Sequence, residues 1–176
     1  MIETLVAIGI ILVATTGPMV FAQKSLRASF MSRDQITAFY LAQDAIEFIK
    51  NLREHHALAR TTGDWLDDLA DVCDLSHGCT IDTTKLVTNT AAVRNCVDSE
   101  PGCIGQQTLR IDTNKEFSFD GEESIFYRTI YIDEIDIDEA QVMVKIVWTS
   151  QETVGEREIF VVENIYNWSN VLLGNN

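Results

Sequence analysis

Positive charge is scarce over most of this sequence, and the scarcity is uneven. Residues 61–176 carry 7 Lys and Arg against 22 Asp and Glu, a net charge of −15, whereas residues 1–60 carry 6 against 5. A segment this acidic repels phosphate backbones, which argues against nucleic-acid contact by residues 61–176 as a whole. A soluble, exposed surface is the simpler meaning of the charge. Proline is rarer still, with only Pro18 and Pro101. No Pro-, Gly- or Ser-rich stretch marks a linker, so 176 residues leave room for one soluble domain beside one long helix. Histidine is limited to His55, His56 and His77, and a surface role suits all three better than a site. There is no Gly-rich phosphate loop, Gly-x-Ser-x-Gly elbow or metalloprotease motif, so the sequence announces neither an enzyme nor a cofactor.

What is present begins at the N-terminus. Between Thr4 and Ala22 no residue is charged, and at about 1.5 Å per residue this run is long enough to cross a ~30 Å hydrocarbon core as a helix. Glu3 stands at its head. A carboxylate there is costly unless something pairs with it, which makes Glu3 a functional candidate. A cleaved signal peptide fits less well, because its apolar region is normally about 7–15 residues with basic residues before it. Here an acid precedes a longer run, and Phe21-Ala22-Gln23 is a poor cleavage site. The helical pattern continues through that boundary, so one retained helix is expected from residue 2 to about residue 58, roughly 85 Å long. Gly17-Pro18 predicts a kink or local unwinding near residues 14–18.

Met1-Ile2-Glu3-Thr4-Leu5-Val6-Ala7-Ile8 resembles the mature N-terminus of type IV pilins and type II secretion pseudopilins. The family glutamate is the fifth residue of the mature chain and here it is the third, so a leader and two mature residues are expected to precede Met1. The resemblance implies a pilin fold and a filament built by packing of the N-terminal helix. It gives the assembly role to Glu3, Thr4, Leu5, Ile8, Gly17 and Pro18, with Glu3 neutralising the N-terminal amine of a neighbouring subunit. A paired acid in an apolar bundle is tolerated where a lone one is not. The resemblance further implies a homo-oligomer, insertion in the inner membrane before assembly, and a prepilin peptidase and assembly platform as partners. By the positive-inside rule, Lys24, Arg27 and Arg33 assign the far side of the helix to the cytoplasm. The motif and the cysteines assign it outside, and a removed basic leader reconciles the two.

Residues 1–22 are therefore read as the membrane and filament-core helix, and residues 23–60 as its amphipathic continuation. Ile36, Phe39, Tyr40, Ile46, Ile49 and Leu52 recur at three- and four-residue spacing among charged residues, which predicts the stripe on which a head packs. Residues 61–107 read as a connecting loop holding all four cysteines. Cys73, Cys79, Cys96 and Cys103 allow three pairings. Their spacings exceed those of a zinc knuckle, and an extracellular setting favours disulfides. Closeness in sequence favours Cys73–Cys79 and Cys96–Cys103, each contributing about 2–2.5 kcal/mol.

Residues 108–176 alternate with period two. Strands are expected at 108–112, 115–119, 124–132, 141–149 and 158–165, joined by short turns into an antiparallel meander. Phe126, Arg128, Ile130 and Ile132 fall on one face. The acidic run 133–139 lacks the spacing of a calcium loop and reads as a solvated turn. Asn167-Trp168-Ser169 is a glycosylation sequon, frequent by chance. The fold class expected is α+β, a long N-terminal helix packed on a C-terminal antiparallel sheet. The function expected is that of a non-enzymatic subunit of a cell-surface filament, major or minor. A membrane-anchored binding domain and a surface enzyme are the competing classes.

Overall fold

A computed structural model describes residues 2–59, 65–66, 69–96, 108–149 and 155–168. The chain forms two compact units, Met1–Thr37 and Ala38–Asn176. A single helix, α1 (Ile2–Ala59), runs through the first and into the second.

In the first unit α1 buries no residue. The helix is unbroken at Pro18, so the unwinding expected at residues 14–18 does not occur. The hydroxyls of Thr15 and Thr16 donate to the carbonyls of Ile11 and Val13 at 3.0 and 3.2 Å. These bonds satisfy side-chain polar groups within the helix, which suits an apolar setting.

In the second unit α1 packs on a seven-stranded sheet in which every pairing is antiparallel. The strands are β1 (Cys79–Ile81), β2 (Val93–Asn95), β3 (Thr108–Ile111), β4 (Phe117–Ser118), β5 (Glu122–Asp136), β6 (Glu139–Thr149) and β7 (Glu156–Tyr166). A four-residue helix, α2 (Leu69–Val72), precedes β1. The fold is thus α+β, a long N-terminal helix on an antiparallel sheet. β5 is central: β6 follows one edge, while β3 and β1 share the other.

The meander holds for β5, β6 and β7. It fails earlier, because β3 lies between β4 and β5. The connection at Asp120-Gly121 therefore crosses the end of β3, where Gly121 has φ 116°. The stretch read as a connecting loop also contributes α2, β1 and β2, elements too short to show a period in sequence.

The helix stripe is phased differently from expectation. Ile46, Ile49 and Leu52 are buried, but Ile36, Phe39 and Tyr40 are 54, 46 and 65% exposed. Their places on the buried face are taken by Ala38, Leu41, Ala42, Ala45 and Phe48. Three alanines with no exposed surface let the helix backbone approach the sheet closely. They meet the alternating face of β5 and β6, where Ile130, Ile132, Val142, Val144, Ile146 and Trp148 are buried. Each fully buried large apolar side chain contributes about 1.5–3 kcal/mol.

Candidate functional site

Glu3, Thr4, Leu5, Ile8, Gly17 and Pro18 all lie on the first unit's helix, and all are exposed. Every large apolar side chain from Ile2 to Phe21 is more than half exposed, and an added Cβ at Gly9 or Gly17 would meet nothing within 4 Å. Burying any one of these side chains fully gains about 1.5–3 kcal/mol, so the run as a whole is strongly driven out of water. By length and composition the helix can cross a membrane, as an anchor or as a signal sequence. No described side chain pairs with Glu3. The helix thus presents apolar surface on all sides with one acid at its head.

The second unit holds a buried cation that ties three elements together. Arg128 of β5 has no exposed surface. Its Nη1 donates to the carbonyl of Leu41 on α1 at 2.9 Å, and its Nη2 donates to the carbonyl of Ile81 on β1. The half-exposed Asp44 carboxylate stands 3.6 Å from Nη1 and accepts from the Thr83 hydroxyl. Burial lowers the guanidinium pKa to about 10, with Asp44 opposing the shift. Such an ion costs several kcal/mol to desolvate unless hydrogen bonds and charge compensate it. Here two backbone carbonyls and one acid do so. The sequence signal is an arginine on a strand face otherwise made of Phe126, Ile130 and Ile132.

Beside it, Asp82 is nearly fully buried. Burial alone would raise its carboxyl pKa, but hydrogen bonds from Thr84, the Phe119 N–H and Lys85 together hold it below the ordinary value. Lys85 and Arg94 both sit over the Phe119 ring, at 5.4 and 4.2 Å. This set fastens the 82–94 segment to the sheet.

Cys73 and Cys79 form a disulfide, both fully buried. Cys96 is also disulfide-bonded; Cys103, its expected partner, lies outside the described residues. The ring closed by Cys73–Cys79 contains a turn built on Asp74, whose Oδ1 accepts from the N–H groups of Ser76 and His77 at 3.0 and 2.8 Å. The His77 backbone bond, then the Ser76 hydroxyl, hold the Asp74 pKa down at about 2, against 3.8 ordinarily. A lowered folded pKa stabilises above the unfolded value and is lost as pH falls through the folded one. The melting-temperature gap between wild type and Asp74→Asn is therefore expected to be constant above about pH 5 and to close progressively as pH falls toward about 2. A gap that widens on acidification would contradict this assignment.

The remaining sequence candidates fall apart spatially. The acidic run 133–139 is not a turn throughout: residues 133–136 extend β5, Glu139 opens β6, and only exposed Ile137 and half-buried Asp138 form the turn between them. No group of three His, Cys, Asp or Glu able to hold a metal occurs among the described residues. Asn167 is buried and its N–H donates to the Asp138 carbonyl at 2.9 Å, a poor acceptor for a glycan. His55 and His56 sit edge to face on the last turns of α1. A cavity of about 210 Å³ lies among Phe48, Leu52, Leu69, Val72, Val87 and Val93, with Thr88, Asn89 and Thr90 at its polar side and no ionisable group. Neither Arg128 nor Asp44 lines it.

The layout, a long apolar N-terminal helix followed by an antiparallel sheet, is like that of the pilins. No protein-family model, no curated protein and no solved structure matches this chain.

Proposed function

We propose that the chain is a structural subunit of an extracellular filament of the type IV pilus kind, polymerising through the apolar half of α1. One observation carries the reading. A membrane-length apolar helix, exposed on every side, begins with a single acid and is continuous with the helix on which the head is built. Neighbouring copies of the same helix would cover that surface once it leaves the bilayer. Glu3 would then be compensated by the N-terminal amine of the next subunit, which also fixes the register between copies. The disulfide-stapled, acidic second unit is suited to an oxidising exterior. Before assembly the helix resides in the inner membrane, and a prepilin peptidase and an assembly platform act on it.

The experiment is electron microscopy of material sheared from the cell surface, with mass spectrometry of its main component. Long filaments composed chiefly of this chain are expected. Recovery of the chain only in the membrane fraction would instead support an anchored domain, and trace amounts in a filament made of another protein would indicate a minor subunit.

A further inference from the structure

We propose that β7 is a strand-accepting edge through which two copies of this chain pair antiparallel, centred on Phe160. β7 pairs with β6 from Glu156 to Tyr166 without a register shift, and no described residue pairs with its other edge. Exposed edges are normally guarded by proline, bulges, shortness or charge. β7 is 11 residues long, has no proline or bulge, and runs Ile159-Phe160-Val161-Val162 through its middle. Phe160 and Val162 are 50 and 49% exposed on the outer face; Ile159 and Val161 are only partly buried on the face toward α1. On that side lies an open groove of about 370 Å³ between α1 and the strand, with Ile46 and Val161 in its lining and Gln43, Glu47, Lys50 and Glu163 around it.

The charges along β7 select the occupant. In antiparallel pairing, opposed residues share a face of the sheet. When the strand meets a second copy of itself centred on Phe160, Arg157 faces Glu163 twice and Ile159 faces Val161 twice. Phe160 meets its own counterpart on the outer face. Centring on Val161 instead sets Arg157 against Ile165 and Glu163 against Ile159; centring on Ile159 sets Arg157 against Val161. Of these registers, only the one centred on Phe160 matches both charges. No ion pair joins Arg157 to a described residue. Glu163 uses Oε1 for Lys50 at 2.5 Å, so Oε2 remains for a partner.

The pairing has a direction. Lys50 and Arg53 meet β7 at Glu163 and Tyr166 in turn, so this stretch of α1 runs alongside β7 in the same sense. The two-fold contact makes the paired helices run in opposite senses. It therefore joins copies of opposed orientation, and not parallel neighbours in one array.

The test uses the full chain in detergent micelles, where filament formation is not required. No free cysteine occurs among the described residues, so Phe160→Cys should give a new disulfide-linked dimer on mild oxidation, with the wild-type chain as the blank. Val162→Cys should not cross-link to itself, but should cross-link to Glu158→Cys when the two variants are mixed. Arg157→Glu should weaken the dimer about tenfold or more, Glu163→Arg likewise, and the charge-swapped double variant should restore it. Restoration also excludes misfolding as the cause of either single loss. Absence of the Phe160→Cys cross-link, cross-linking that ignores charge reversal, or capture of an unrelated protein by the Phe160→Cys variant would each overturn the proposal. None of these results depends on whether filaments form.

Discussion

Arg128→Ala is expected to lower the stability of the head by about 3–5 kcal/mol, enough to remove most of a small domain's margin. The substitution does three things at once. It empties a fully buried site at the junction of α1, β1 and β5. It takes the donors away from the Leu41 and Ile81 carbonyls. It also leaves Asp44 without its cation. Arg128→Met should cost less, because it refills the volume and removes the buried charge together with its desolvation. Asp44→Asn should cost less again, since that carboxylate is half in water and screened. Guanidinium unfolding of the full chain in detergent, followed by tryptophan fluorescence, to which the buried Trp148 contributes, orders the three variants. An alanine variant within about 1 kcal/mol of wild type would show that the cation is incidental.

Gly121→Ala is expected to cost about 3 kcal/mol or more, by strain and not by lost contact. At φ 116° an added Cβ would stand 2.1 Å from the Ile111 carbonyl oxygen, 2.6 Å from its carbon and 2.9 Å from the Asp112 Cα. All three are backbone atoms, so no side chain can swing aside and the end of β3 must move. Gly155→Ala is the internal control. Gly155 has a comparable φ of 129° with nothing within 4 Å, so only the conformational strain of about 1 kcal/mol applies. Thermal melts of the two variants should therefore differ by several degrees, with Gly121→Ala the lower. Equal melting temperatures would mean that the 120–121 connection does not press on β3.

These two sites also show what can be read in the sequence and what cannot. The long helix, the three C-terminal strands and the Cys73–Cys79 disulfide follow from local signals: an uncharged apolar run, alternation at period two, and cysteines close in sequence. The phase of the packed stripe on α1 does not follow. Large side chains such as Phe39 and Tyr40 dominate a hydrophobic pattern, yet the sheet selects alanines that permit close approach. The position of β3 between β4 and β5 is equally hidden, because nearest-neighbour reading of strands assumes that consecutive strands pair. β1 and β2 are three residues each and are held by pairing with one another and, through β1, with β5. Arg128 is visible as a cation on an apolar face, but its partners are 47 and 87 residues away in the chain, beyond any local pattern. For the proposed filament surface the sequence carries nearly all the argument, since in that proposal Glu3 and the residues after it act on groups in other copies.

The central claim is that Glu3 is needed for copies to assemble and not for one copy to enter the membrane. The measurement that tests it most directly is the ratio of this chain in the sheared surface fraction to that in the membrane fraction, compared between wild type and Glu3→Leu. The account predicts full membrane insertion of the variant with its surface fraction reduced by at least about tenfold, as expected for loss of a compensated ion pair in an apolar bundle. An unchanged ratio would contradict the role of Glu3 and, with it, the proposed mode of assembly.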